Sequence, residues 1–335
     1  MFSIKFEEEP KVIVELLRLG TNLPIWEEFY PYILYDLNHF SSKSMILVQN
    51  GNVDGQVLLY SEDNSTLYFG FFGIRGDKTN MIAFLIDKIK EYAKNKGYNT
   101  IRGPINIPTI IFGWGFEEGG SKNDIFIQKP TNHPKYIKIF LEKGFYVKNK
   151  ELSLEGNLNE KLVKMLELFE FKDYQIYHPN EWEELYNMKF ELLALSAKNL
   201  SSSSQMTPGM EHLFLNYINF VRQYGSLYMF GLLKHIPSNE LVGCSIGLPN
   251  PFHKNKNGNI DSFVVYLLIL DKAHRGIGLG NYLALYTLNK ARENGITFSS
   301  SSVEDNNEVV ISLGAKLGHK PTRIHTILEY RIVNE

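Results

Sequence analysis

Along the second half of the chain, the apolar positions switch between two periods. Ser262–Leu270 (SFVVYLLIL) is short, β-branched and aromatic, and reads as a buried strand. A glycine-rich loop, Arg275–Gly280, follows it. Leu279, Tyr282, Leu283 and Tyr286 then recur at helical spacing, and Asn294-Gly295 supplies a helix stop. Ile296–Val303 reads as the next strand, Asn306–Leu317 as a helix ended by Gly318, and Ile324–Ile332 as a last strand. Upstream, Trp182–Asn199 carries Leu185, Met188, Leu192 and Leu193 on one side and reads as a long helix. Ser201–Ser204 and Thr207-Pro208-Gly209 read as a surface connection.

The first half repeats this order. Ser65–Ile74 is the strand, and Asn80–Asn95 is the helix, with Met81, Phe84, Leu85 and Ile89 on one face and Gly97 as its stop. Asn99–Arg102 starts the next strand, Pro134–Lys143 is a helix ended by Gly144, and Phe145–Leu154 is the last strand. Gly97 and Gly295 lie 198 positions apart, Gly144 and Gly318 only 174. The difference of 24 is extra chain in the first half, at about 107–130. Trp114 and Phe116 stand there among glycines, which predicts an ordered, aromatic-pinned loop. The repeat predicts a duplicated α/β fold, each copy an α+β mixed sheet, divided as 1–156 and 157–335. Gly156–Asn159 is the linker candidate, and Phe169–Tyr177 opens the second half.

Composition adds limits to this picture. The chain has 335 residues, 44% hydrophobic and 21% charged, which suits two globular domains. A net charge of −2 with scattered Lys and Arg gives no nucleic-acid surface. Cys244 is the single cysteine, so no intrachain disulfide forms, and its apolar surroundings predict a buried thiol. The first residues lack a basic segment followed by an apolar core. The longest apolar run, Phe263–Leu270, is far short of the roughly 20 residues a membrane helix needs. A cytoplasmic protein with no membrane partner is expected. His133, His319 and His325 have no further ligand at metal spacing, so no metal is expected. Tyr266, Tyr282 and Tyr286 are spaced for packing.

The glycine loop is the strongest chemical signal. Gly276, Gly278 and Gly280 alternate between a strand and a helix. Without Cβ atoms, their backbone N–H groups can turn toward one point and touch a ligand closely. The helix that follows adds its positive end, and Arg275 adds a charge. The arrangement suits a pyrophosphate. A dinucleotide fingerprint starting at Gly276 asks for glycine where Asn281 stands, and no P-loop pattern occurs. R-x-x-G-x-G does fit, as Arg275, Gly278 and Gly280. At the offset of 198, the first half carries Asp77, Lys78, Asn80 and Ile82 instead of Arg275, Gly276, Gly278 and Gly280. No cradle is expected there.

The R-x-x-G-x-G motif, placed between that strand and that helix, resembles the acyl-CoA motif of the GNAT superfamily. The chain also resembles a group of bacterial GNAT-related proteins. In the first half this rests on Arg102-Gly103-Pro104-Ile105-Asn106, Gly115-Phe116, Pro134, Tyr136 and Gly144-Phe145. In the second it rests on Gly243, Leu248-Pro249, Arg275 to Gly280 and Glu304-Asp305-Asn306. The resemblance implies two tandem GNAT-like folds and an N-acyltransferase, with acetyl-CoA or another acyl-CoA as co-substrate and a small or peptidyl amine as acceptor. It implies that backbone N–H around Leu268, Ile269 and Leu270 polarises the thioester carbonyl. It implies that Arg275, Gly276, Ile277, Gly278, Leu279 and Gly280 hold the CoA and that Asn307 orients it. The family's usual tyrosine acid lies in N-x-x-A-x-x-L-Y-x-x-x-G-F. Set on Asn307, Val310, Leu313 and Gly318, that tyrosine position is Gly314 and the final aromatic is His319. The usual acid is missing.

Glu304, between a strand and a helix, is the candidate general base, with Ser302 and Ser301 beside it as candidate substrate contacts. A capping or solvated carboxylate is the competing reading for Glu304, and a helix start that of Asn307. A non-catalytic CoA-binding scaffold remains an alternative because the acid is absent. A long-chain acyl or aminoacyl transferase remains one because tandem GNAT folds also occur in such enzymes. A dinucleotide oxidoreductase is more distant, since the third fingerprint glycine is absent.

Overall fold

The computed structural model describes residues 2–118, 125–199 and 210–333. In chain order the first elements are β1 (Phe2–Glu7), α1 (Pro10–Leu17), α2 (Tyr30–His39), β2 (Lys43–Gln49), β3 (Asn52–Tyr60) and β4 (Thr66–Ile74). Next come α3 (Thr79–Lys96), β5 (Thr100–Gly103), α4 (Thr109–Phe112), β6 (Phe116–Glu117), α5 (Lys135–Glu142) and β7 (Tyr146–Asn157). Then follow α6 (Lys161–Leu166), β8 (Tyr174–Tyr177), α7 (Trp182–Asn199), α8 (Met210–Tyr224), β9 (Phe230–His235) and β10 (Glu240–Pro249). The last are β11 (Ser262–Leu270), α9 (Leu279–Glu293), β12 (Phe298–Glu304), α10 (Glu308–Leu317) and β13 (Lys320–Arg331). Ser201–Ser204 and Thr207-Pro208-Gly209 lie outside the described residues.

The compact units are not two consecutive stretches. One takes Met1–Glu151 together with Arg323–Glu335, the other Leu152–Thr322. In the first unit the strands run β1-β2-β3-β4-β5-β13. β4 and β5 are parallel, and β13 closes β5 antiparallel, with Leu328 opposite Gly103 and Arg331 opposite Thr100. α3 buries Met81, Ile82, Leu85, Ile86, Ile89 and Ala93, the set expected of one helical face. Gly97, with φ 79°, ends it in the left-handed conformation that glycine adopts without a Cβ penalty. The aromatic residues Phe69, Phe72, Phe116 and Phe140 meet in the core under it.

The second unit runs β7-β12-β11-β10-β9-β8. Its two faces are told apart on β9. A Cβ placed on Gly231 would stand 2.6 Å from Thr287 Oγ1 and 3.4 Å from Leu283, so that side faces α9. The neighbouring Phe230 packs on Trp182 of α7 and Tyr217 of α8, on the other side. Gly156 and Asn157 end β7 rather than forming a linker. A Cβ on Gly156 would meet His319 Cδ2 at 2.4 Å, so this glycine marks a close approach, not a hinge.

Candidate active site

The second unit opens between its two parallel strands. β11 and β12 pair from Ser262 opposite Phe298 to Val265 opposite Ser301, and the ladder stops there. β11 continues to Leu270 paired with β10 alone. That pairing carries a one-residue bulge at Tyr266, since Ile246 faces Leu267 but Gly247 faces Val265. A bulge bends and twists its strand, which turns the end of β11 away from β12. Leu268 and Leu270, half-buried, lie on β11 beyond the end of the ladder with β12, with the buried Ile269 between them. This is where parallel α/β sheets bind ligands.

The glycine loop lies on the β11 side of that opening. Gly276 and Gly278 have φ of 91° and 93°, values that side chains disfavour. Gly278 caps α9 without any side-chain acceptor, so the amides of the first turn, from Leu279 and Gly280 onward, are left without a cap. Space around Gly276 and Gly280 is open to 4 Å, and Ile277 is 56% exposed. Phe169 stands 3.1 Å from a Cβ placed on Gly278 and packs on Phe171 and Tyr282. A cavity of about 570 Å³ adjoins the first turn of α9, lined by Phe169, Asn281, Leu285, Val309, Ser312 and Lys316. Arg275, at the loop's start, donates from Nε to Leu270 O at 3.0 Å and from Nη2 to Asn199 O at 3.2 Å.

Glu304 lies on the β12 side. Phe263 packs in the core beneath α9, and its register partner Ser299 shares that side, as does Ser301 opposite Val265. By strand alternation Ser300, Ser302 and Glu304 point to the α7 and α8 side. The Ser300 Oγ contact with Glu155 of β7, at 3.3 Å, agrees with this. Glu304 is half-buried, and its Oε1 is shut from solvent with no hydrogen-bond partner. An unsatisfied buried carboxylate oxygen is costly and asks for a donor. Ser302 is half-buried and engaged in contacts of its own. Asn307 caps α10, its Oδ1 accepting from Val310 N at 3.3 Å.

At Gly314, the position where the resemblance expects a tyrosine, there is no room for one. A Cβ on Gly314 would stand 2.9 Å from Leu154 Cδ1, so α10 lies against β7 where a tyrosine would project. Cys244 is fully buried, and burial pushes its thiol up to about 12, which removes it as a nucleophile. His319 is buried with its pKa lowered by desolvation. Tyr266 stacks on Tyr217 at 5.2 Å, and Tyr286 on His178 at 5.1 Å. Among the described residues no three His, Cys, Asp or Glu side chains stand together as a metal centre needs.

The counterpart region of the first unit is closed by its own chain. β4 and β5 pair only as far as Tyr68 opposite Arg102, and β4 has a bulge near Phe71. The residues after β5 then fill the gap. Ile105 N donates to Phe69 O at 2.8 Å, and Phe71 N donates to Asn106 Oδ1 at 2.6 Å. Asn106 is itself held, donating from Nδ2 to Phe112 O at 3.1 Å. Lys78 precedes α3 without capping it, and Ile82 is fully buried in that helix.

Residues 181–319 match the acetyltransferase (GNAT) family. The whole chain is similar in structure to a tandem GNAT protein from the clavulanic acid biosynthesis pathway, with 14% identity, 99% of this chain and 100% of that chain covered, and a TM-score of 0.61. A GCN5-related N-acetyltransferase from Sphaerobacter thermophilus gives 10% identity, coverage of 99% and 96%, and a TM-score of 0.58. A GCN5-related glucosamine N-acetyltransferase region of a fungal multi-domain GH3 β-N-acetylglucosaminidase gives 13% identity and a TM-score of 0.64, covering 98% of this chain and 38% of that one. No curated protein matches the chain significantly. Proteins of the GNAT family are in general acyltransferases that bind acyl-CoA and act on amines. Residues 181–319 thus match the acetyltransferase (GNAT) family, and the chain as a whole has the fold of a tandem GNAT protein.

Proposed function

We propose that the second unit transfers an acyl group, acetyl first among them, from acyl-CoA to an amine by direct attack on the thioester. The observation that carries this reading is the opening between β11 and β12, with an uncapped glycine loop on one side and the unpartnered Glu304 on the other. The amides of Gly276 to Gly280 cradle the pyrophosphate at the positive end of α9. The cavity beside Phe169 takes the nucleotide end. A backbone N–H of the Leu268 to Leu270 stretch, beyond the end of the β12 ladder, polarises the thioester carbonyl. Glu304 takes one proton from the ammonium, the freed nitrogen bonds to the acyl carbon, the carbon–sulfur bond breaks to release the thiolate, and the nitrogen gives up its second proton to solvent. With Gly314 packed on Leu154, solvent supplies the thiolate's proton. The missing acid costs about 10²–10⁴-fold and leaves a slower enzyme.

Gly280→Glu tests the cradle. Gly280 has no positive φ and open space around it, and an acidic residue in the first helical turn is favourable. The variant should melt no lower than wild type, yet lose acetyl-CoA affinity by about a hundredfold or more, because a like charge now fills the phosphate site. Undiminished binding measured by calorimetry would sink the assignment. A second reading, a CoA-binding scaffold without turnover, is favoured by the filled acid position. Release of free CoA thiol across a broad panel of amines excludes it, and tight binding with no release supports it.

A further inference from the structure

Arg275 holds the first place of the glycine loop, where its charge is expected to meet phosphate. Its guanidinium is turned elsewhere, onto Leu270 O at 3.0 Å and Asn199 O at 3.2 Å. Asn199 is the last residue of α7, so the cation sits at the negative end of that helix. The same junction is closed by two more bonds, one of them to a residue that also braces the segment itself. Lys272 N donates to Asn199 Oδ1 at 3.1 Å. Lys198 Nζ pairs with Asp271 at 2.6 Å, and Asp271 Oδ1 accepts from Ala273 N at 3.0 Å. The segment between β11 and the glycine loop is therefore bonded to the end of α7 at Asp271, Lys272 and Arg275.

Residue type supports a structural use. Two carbonyls on different elements suit a planar fork with several donors, which a lysine ammonium does not reproduce. α7 covers the face of the sheet toward which Ser302 and Glu304 point, whereas α9 and its cradle lie on the opposite face. Arg275 thus joins the donor side of the opening to the acceptor side.

We propose that Arg275 is a positioning residue, a strut fixing the glycine loop to the C-terminal end of α7, rather than a ligand of the CoA phosphates. This rests on the reading of the loop as an acyl-CoA site. The strut exists before any ligand arrives, so its loss is felt in the free protein. It acts by geometry, so charge alone does not replace it.

The test compares wild type with Arg275→Lys, Arg275→Gln and Asn199→Ala, reading the melting temperature of the free protein and acetyl-CoA affinity at low and high salt. A strut predicts that both Arg275 variants melt lower than wild type without ligand. Both should bind acetyl-CoA more weakly by a similar factor, about five- to tenfold, at every salt concentration. Asn199→Ala, which removes the bond to Lys272 N, should weaken binding in the same sense by less. The proposal is overturned if the free variants melt as wild type does, or if Lys restores affinity, or if the Gln deficit fades as salt screens it. Failure of wild type to bind acetyl-CoA defeats the function proposed above, and the ligand-free melting temperatures still decide the strut.

Discussion

His325 carries a titration with a definite sign. It is buried, its Nε2 donates to Pro130 O at 3.0 Å, and it lies near Lys129 and Arg323. Desolvation first, then those two cations, lower its pKa from 6.5 to about 3. Above the unfolded value the imidazole is neutral in both states and the fold loses nothing. As pH falls from about 6.5 toward about 3, the unfolded chain takes up a proton that the folded chain refuses, so stability drops. His325→Gln keeps a donor for Pro130 and removes the titration. At pH 5 the variant should recover about 2 kcal/mol relative to its own difference from wild type at pH 7. Equal pH slopes in urea unfolding would contradict this. Other residue properties were legible only in part. That Gly276 and Gly278 require positive φ follows from their place between strand and helix, and Cys244 follows from its apolar neighbours. The partners of Arg275 do not follow, because Asn199 lies 76 positions away and nothing local announces the contact.

At the level of elements, the packing of α10 on β7 opposes a tyrosine at Gly314, where the resemblance expects one. Gly314 lets α10 lie on Leu154, and any side chain there must displace it. Gly314→Tyr should therefore lower stability by about 1–3 kcal/mol through overpacking. Gly314→Tyr with Leu154→Ala should regain part of that loss, because the ring then has room. If thermal unfolding shows the double variant less stable than the sum of the single changes, the contact is not what excludes the tyrosine. Periodicity made several elements readable to the residue: β11 and α7 have the bounds expected of them. β7 runs past its expected end because Gly156 looks like a breaker in one dimension, and β13 begins at Lys320, ahead of its expected start. β2 and β3 offer no clear pattern, since their apolar stretches, Met45–Val48 and Val57–Tyr60, are too short to distinguish strand from helix. The bulges at Tyr266 and near Phe71, which shape the opening in one unit and its closure in the other, leave no composition signal at all.

The whole molecule has a feature that linear reading misses: its last strand belongs to its first unit. Leu328 is fully buried in that unit's core beside Ile101 and Phe145. Glu329, 3% exposed at its side chain, meets Arg102 at 2.6 Å and also accepts from Tyr146. Burial alone raises the Glu329 pKa, but Tyr146 and Arg102 outweigh it and hold the carboxyl below its usual range. Removing this strand leaves β5 as an open edge and Arg102, 18% exposed, without its carboxylate. Breaking a buried pair by taking away one partner costs about 3–5 kcal/mol, and losing a buried leucine adds about 2. Against a typical domain stability of about 5–15 kcal/mol, this is most of what the unit has. A fragment of residues 1–151 should therefore lack a cooperative melt and protected amides. The same fragment with residues 323–335 attached through a flexible linker should show both, and Glu329→Gln in the fused form should weaken it again. If fragment 1–151 alone melts as cooperatively and as high as the fused form, the returning strand is an accessory, and the first unit completes itself without the end of the chain.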